Sequence, residues 1–194
     1  RMVPLGNFPK MHFGNMPNDG GGLILEEEEK ESIVKQYPRS TKFFKKLLGS
    51  LEFIRGSLRW CLWIENNEVE EALQIPPIAE RIRIVRDHRL SSKDDGTKKL
   101  ATRPHQFRDL NRAKSDLIIV PRVSSENREY IPIGILDKNY IISDSAQAIY
   151  DSEPYIFGII TSRMHMIWVR ADAGRLKTDY RYSAQLCYNA FPFP

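Results

Sequence analysis

The sequence predicts an α+β domain, a mixed and largely antiparallel twisted sheet with flanking helices. Three observations carry that expectation. The 194 residues, 41% hydrophobic and 28% charged, can bury one good-sized core and have the composition of an ordinary globular protein. Helical and strand-like segments mix without the strand–helix–strand alternation of a parallel sheet. Neither an internal repeat nor a linker long enough to split the chain is visible. A single domain is therefore expected over 23–194, behind an irregular opening segment or linker at 1–22.

Taken in order, residues 1–22 are rich in Gly, Pro and Asn and have no hydrophobic period. Residues 27–36 read as a helix that stops before Pro38. A short basic helix is expected over 39–48. Residues 52–54 and 58–64 read as two strands around Arg55-Gly56, a tight-turn pair. A short helix follows over 68–74. A longer one covers 77–90, with Ile78, Ile82 and Val85 on one face, and Arg81, Arg83, Arg86 and Arg89 off that face. The polar, basic stretch 91–104 reads as a loop, the most mobile part. Strands are expected at 117–123, 130–136 and 140–143, the last after a turn at Asp137-Lys138-Asn139. The strongest helical pattern, 154–173, closes at Gly174. Residues 175–194 return to polar, aromatic and strand-like character. Trp60, Trp63, Phe53 and Trp168 read as core.

The net charge of +4 is modest, but its distribution is not even. From Arg81 to Lys114 there are eleven Lys/Arg against four Asp, an excess of seven. The opposite sign gathers at Glu26–Glu29, Glu31 and Glu68–Glu71. Charge segregated in this way gives a chain a positive side, for which phosphate backbones are the commonest partner. Cys61 and Cys187 sit in apolar runs without metal-ligand spacing, as buried free thiols of a reducing compartment do. No apolar run approaches a membrane span and no signal peptide is visible. A cytoplasmic protein is expected. The chain starts at Arg1 and stops at Phe191-Pro192-Phe193-Pro194, and reads as a piece of a longer protein.

Catalytic motifs are sparse. There is no glycine-rich loop for S-adenosylmethionine and no Asn/Asp-Pro-Pro-Tyr/Phe motif of the kind adenine-N6 methylation uses. Ile75-Pro76-Pro77-Ile78 has the prolines but neither the polar head nor the aromatic tail. Phosphate loops and zinc clusters are also missing. His12, His88, His105 and His165 are scattered, and His165 lies in an apolar helix as a core histidine would. Asp19 followed by Glu28-Glu29-Lys30 imitates the Asp…Glu-x-Lys pattern of metal-dependent nucleases. That Glu-x-Lys opens an acidic helical run, which the helix dipole explains more simply. Ser124-Ser125 beside Glu126 lacks the glycine elbow and placed histidine of a serine nucleophile. No catalytic or metal-ligating residue is assigned.

Two stretches do carry weight. They are Pro121-Arg122-Val123-Ser124-Ser125-Glu126-Asn127-Arg128 and Gly174-Arg175-Leu176-Lys177-Thr178-Asp179-Tyr180-Arg181-Tyr182-Ser183. Arg and Lys neutralise phosphates, and Ser and Thr hydroxyls fix register on a duplex. Arg can also bind guanine with two bonds, and Asn or Gln adenine. Salt-bridged surface loops and a protein-binding surface are the alternatives on spacing alone.

Ordered motifs along the chain resemble the target-recognition domain of MmeI-like (type IIL) restriction-modification proteins. They begin with Gly14-Asn15-Met16-Pro17-Asn18-Asp19-Gly20-Gly21, Gly49-Ser50-Leu51-Glu52-Phe53-Ile54 and Arg59-Trp60-Cys61-Leu62-Trp63. They continue with Val120-Pro121-Arg122-Val123-Ser124-Ser125-Glu126, Tyr130-Ile131-Pro132 and Ser162-Arg163-Met164-His165-Met166. The Gly174–Ser183 stretch and Tyr188-Asn189-Ala190-Phe191-Pro192 close the series, so the resemblance runs from about residue 14 to 192. Thr178 stands where serine is expected and keeps the hydroxyl.

In that family one polypeptide joins a nuclease, an adenine-N6 methyltransferase and a recognition domain. The resemblance implies a module that reads double-stranded DNA and is not itself catalytic. Its partners would be DNA and the methyltransferase domain of the same polypeptide, with no membrane. No cofactor is expected in this chain, with S-adenosylmethionine, and Mg²⁺ for cleavage, in the parent protein. Arg122, Ser124, Ser125, Arg128, Arg175, Lys177, Asp179 and Arg181 are assigned to DNA contact. They are given to the backbone, because residues shared by relatives with different targets cannot encode the target. Lys98, Lys99 and Arg103 join them from the basic stretch 93–103. Base readers are expected in that stretch, at 137–140, or before the last helix. Asn15, Asn18 and Gly20–Gly22 either shape a turn at the methyltransferase junction or form a linker. The competing functions are a metal-dependent nuclease using Asp19, Glu28 and Lys30, and a domain that docks protein partners.

Overall fold

Glu27, Glu28 and Glu29 fill the first turn of the helix Glu27–Gln36 (α1), where the helix dipole favours carboxylates, and Lys35 sits in its last turn. It ends at Tyr37, before Pro38, as the sequence predicts. A computed structural model describes residues 4–194; residues 1–3 of the expected opening segment lie outside the described residues. The strands that begin the chain are β1 (Met11–Phe13), β2 (Ile24–Leu25) and β3 (Phe44–Leu48). Next come α2 (Ser50–Arg55), β4 (Arg59–Leu62), α3 (Val69–Leu73), α4 (Pro76–Leu90) and α5 (Asp95–Lys99). The second half holds β5 (Leu117–Pro121), β6 (Val123–Ser124), β7 (Gly134–Leu136), β8 (Tyr140–Ile142) and β9 (Ala146–Tyr150). It continues with α6 (Pro154–Ile160), α7 (Arg163–Asp172), β10 (Gly174–Leu176) and β11 (Asp179–Arg181). This is the expected α+β class, with antiparallel pairing in its sheets.

The chain gathers into two compact units built from interleaved segments. The first holds Arg1–Gly14, Leu48–Ser57 and Arg112–Pro194. Its larger sheet runs β1-β9-β5-β7, so β9 is flanked on both sides and Ile149 faces both Met11 and Ile118. Its smaller sheet runs β10-β11-β6. Helices α6 and α7 bury Ile156, Ile160, Met166 and Val169 in one core with Ile118, Val120 and Ile149. The second unit holds Asn15–Leu47 and Leu58–Asn111. Strands β2-β4-β3 form its sheet, and α4 buries Ile78, Ile82 and Val85 as their spacing predicts. Each such fully buried aliphatic side chain is worth about 1.5–3 kcal/mol.

Several expected elements differ, each for a local reason. The expected strand 52–54 is α2: the Glu52 carboxylate accepts from the Gly49 N–H at 2.9 Å, and Gly56 ends the helix at φ 68°. The glycine read as a hairpin turn is a left-handed helix cap. The expected helix 39–48 is a 3-10 turn, Pro38–Phe43, and then β3, which pairs with β4 and sets Phe44 opposite Leu62. The loop 91–104 contains α5, capped by Asp94, whose side chain accepts from Thr97 N at 2.6 Å. The single helix 154–173 is two. Ser162 starts the second by accepting from His165 N at 3.2 Å, and the Thr161 hydroxyl bonds back to Phe157 O at 2.7 Å. Gly174 opens β10 rather than closing that helix. The irregular opening contains β1, and β9 has no counterpart in the sequence reading.

Arg89 is the largest departure. It was expected off the buried face of α4, yet it is fully buried. Its Nε and two terminal nitrogens donate to the carbonyls of Asn18 (2.9 Å), Pro17 (3.0 Å), Leu100 (2.9 Å), Arg103 (2.9 Å) and Gln106 (2.7 Å). Five donors meet five carbonyls, the full capacity of a guanidinium. Burial, then the neighbouring Arg103, lowers its pKa to about 10, so it stays charged at neutral pH.

The glycine run lies against α4 in the same unit. A Cβ on Gly22 would stand 2.5 Å from Val85 Cγ2, and one on Gly20 2.7 Å from the His88 ring. Asn18 donates to Thr97 Oγ1 at 3.1 Å, and the Asn15 side chain exchanges two hydrogen bonds with the Asn111 backbone. Asn15, Asn18, Gly20 and Gly22 thus shape a packed turn.

Candidate functional site

In the first unit the fold brings the two charged motifs together. Strands β6 and β11 pair antiparallel, with Val123 opposite Arg181 and Ser124 opposite Tyr180. Strands β10 and β11 form a hairpin, with Gly174 opposite Arg181, Arg175 opposite Tyr180 and Leu176 opposite Asp179. Directly opposed residues share a face. Arg175, Tyr180 and Ser124 therefore share one face, and Arg181, Asp179, Leu176, Gly174 and Val123 the other.

On the first face Arg175 is exposed. Tyr180 and Ser124 are buried, and the Arg175 guanidinium lies 4.0 Å from the Tyr180 ring centroid. The Ser124 hydroxyl has no hydrogen-bond partner among the described residues. On the second face Gly174 and Leu176 are exposed and Asp179 and Val123 are half-buried. Arg181 is exposed and makes no ion pair or side-chain hydrogen bond among the described residues. Lys177, exposed, stands at the hairpin tip with φ 56°. Asp179 accepts from Glu126 N at 3.3 Å, which ties the turn carrying Ser125 and Arg128 to the hairpin. Ser125 accepts from Asn127 N at 3.3 Å, and Arg128 is exposed.

Arg122 is held from behind. Its N–H donates to Ser50 Oγ at 3.1 Å, its Nη1 to Asp144 O at 3.0 Å, and its guanidinium lies 5.0 Å from the Phe13 ring centroid. Ser50 N in turn donates to Ser145 Oγ at 3.1 Å. Gly49 has no room for a side chain, since a Cβ would stand 2.2 Å from Ser145 Oγ. Arg122 and Arg181 flank a groove of about 250 Å³, with Phe13, Gln147 and Gly174 also in its lining. Ser50, Asp144 and Phe13 were not singled out from sequence. The matched Gly49-Ser50 pair was the available signal, and the strand expected at 52–54 hid the helix that it begins.

The remaining candidates belong to the second unit. Lys98 and Lys99 are exposed on α5, and Lys98 pairs with Asp95 at 3.5 Å. Arg103 turns inward, donating to Phe107 O and Arg108 O, both at 2.7 Å.

The nuclease pattern does not assemble. Asp19 is buried and accepts from Leu23 N at 2.7 Å, while Glu28 is exposed on α1. Lys30 pairs with Glu27 at 3.0 Å and lies over the Trp60 ring. Among the described residues no three His, Cys, Asp or Glu are placed to hold a metal ion. His165 is a core residue. Its Nε2 lies 2.9 Å from Tyr182 Oη, and burial pushes its pKa down to about 4. Cys61 and Cys187 are buried, and burial pushes the Cys187 thiol up to about 11.

A family model described as the MmeI target recognition domain matches residues 1–194. The chain belongs to that family. DNA methyltransferase A of Bacillus subtilis (strain 168) is 53% identical over 194 residues, all of this chain and 22% of that protein. A solved structure of the type IIL restriction-modification enzyme MmeI in complex with DNA matches with a TM-score of 0.94 at 39% identity. It covers all of this chain and 26% of its own. This target recognition domain thus spans about a quarter of the length of its relatives. Nothing in these findings favours the nuclease reading. Among the described residues no helix is long and apolar enough to cross a membrane.

Proposed function

We propose that this target recognition domain reads double-stranded DNA for a longer, cytoplasmic restriction-modification adenine-N6 methyltransferase. One observation carries the reading: two charged motifs, distant in sequence, form adjacent strands of one small sheet that exposes Arg175, Arg181 and, at the hairpin tip, Lys177. A two-stranded ribbon of that kind fits the major groove. Arg122, Ser125 and Arg128 border it. Lys98 and Lys99 offer a second set of cations and Arg175 a further exposed one, whereas Ser124 is buried and Arg103 bonds the chain's own carbonyls.

S-adenosylmethionine and Mg²⁺ would be the parent's cofactors. Gly20 and Gly22 pack against α4, and among the described residues no three His, Cys, Asp or Glu are placed to hold a metal ion. Both cofactors would be held elsewhere in the parent, next to a methyltransferase domain that this chain orients.

Duplex binding measured by fluorescence anisotropy tests the reading. Affinity should fall steeply with salt, because each phosphate contact releases counterions. Substituting a phosphate contact weakens all sequences alike, and substituting a base contact changes preference at one position. Arg122→Ala, Lys177→Ala and Asp179→Ala sort these residues between the two roles. An affinity indifferent to salt and to all three substitutions refutes the proposal.

A further inference from the structure

We infer that the outer face of α7 is the docking surface for the part of the polypeptide that lies outside residues 1–194. The inference rests on the reading that this domain is carried in a longer chain, and not on DNA binding.

Helix α7 is apolar on two sides. His165, Met166 and Val169 face the core. Met164, Ile167, Trp168 and Ala171, at helical spacing i, i+3, i+4 and i+7, form a second stripe. Met164 is 53% exposed and Ile167 58%. The Trp168 indole N–H donates to Leu186 O at 3.2 Å, and Leu186, itself 48% exposed, extends the stripe beyond the helix. A helix apolar on opposite sides is normally covered on both, and contiguous exposed apolar surface marks an interaction site.

The position of the chain ends selects the occupant. Leu5 N donates to Asn189 O at 3.0 Å, and the Phe8 ring stacks on Phe193 at 4.4 Å. Phe191 lies edge-on to Trp168 at 5.9 Å. Both ends of the described chain therefore lie next to α7. Whichever side the rest of the polypeptide continues from, it starts beside this stripe, at the high effective concentration of a tethered partner. The relatives leave ample material to cover it, since the domain is 22% and 26% of their lengths.

The test is thiol labelling of the complete gene product without DNA. Cys61 and Cys187 are fully buried and react slowly with a maleimide, and labelling the parent gene product in parallel subtracts any other thiol, so the difference reports the introduced cysteine. Ile167→Cys and Met164→Cys should label at least about tenfold more slowly than Glu70→Cys, an exposed control on α3, because a covered thiol reacts only when the contact opens. Equal rates overturn the inference. So does protection that vanishes on dilution, which would name a second copy as the cover. A gene product of only 22.5 kDa by mass overturns the longer-chain reading, and the docking with it. Protection of both cysteines in a protein that fails the DNA salt titration would leave the docking standing and remove the DNA reading.

Discussion

Arg89 and Arg181 are the same residue type put to opposite uses. In the second unit, Arg89 spends all five donors on its own backbone. In the first unit, Arg181 stands exposed without a partner among the described residues. The neighbours follow the same division. Arg81 bonds the carbonyls of Gly21, Gly22 and Ile24 and pairs with Glu29. Arg83 pairs with Glu80 and Asp87, and Arg103 holds two carbonyls. The 81–114 stretch, the most basic by count, thus consumes much of its charge internally. The lesson is that positive charge marks a ligand surface only where the fold leaves it unspent.

The strongest way to break this comparison is Arg89→Met. It orphans five buried carbonyls, and removing one partner of a buried charged network costs about 3–5 kcal/mol. Urea unfolding should show a loss of that order with an unchanged slope. A loss below about 1 kcal/mol would mean that water replaces the guanidinium and that Arg89 is not the pin described.

A buried polar group in the first unit provides the next test, this time through pH. His165 has its pKa lowered to about 4 from 6.5 by burial, so the folded state holds it neutral. Above pH 6.5 neither state is protonated there and stability is unaffected. As pH falls from 6.5 to 4 the unfolded state takes up a proton that the folded state refuses, and stability drops by up to roughly 3 kcal/mol. Below 4 the loss levels off. His165→Gln should flatten the pH dependence of the unfolding free energy in that window. An unchanged profile would show that the imidazole titrates normally.

Arg181→Ala is the converse of Arg89→Met. Stability should stay within about 0.5 kcal/mol, as for other surface changes. Duplex affinity should fall for all sequences alike, with the salt slope reduced by about one. A variant that unfolds would place Arg181 with Arg89 among the structural arginines.

What the sequence disclosed follows the same physics. Helix α1 was legible because its acidic start and Pro38 stop are local signals. The buried face of α4 was legible from periodicity. Helix α2 was missed because Gly56 serves turns and helix caps alike. Strand β9 was missed because Ala146, Gln147 and Ala148 have weak strand preference, and only pairing on both sides makes them a central strand. The two charged motifs were found, but not their pairing, which is long-range. Nor could spacing tell that Arg175 lies against the Tyr180 ring while Arg181 has no side-chain partner among the described residues, because that depends on register.

Lys177 is where the two uses of charge meet, and it gives the smallest effect. Its φ of 56° at the hairpin tip is a conformation that glycine adopts freely and lysine at a cost of about 1–2 kcal/mol. Lys177→Gly relieves that strain, partly offset by the greater entropy of glycine in the unfolded chain, so a gain of about 0.5–1 kcal/mol is expected. The same change removes a cation from the hairpin tip, and duplex affinity should fall. Stability and binding therefore move in opposite directions, measured by urea unfolding and anisotropy on one variant. A fall in both would mean the lysine stem supports the hairpin. A rise in stability with unchanged binding would remove Lys177 from the surface while leaving Arg181 in place.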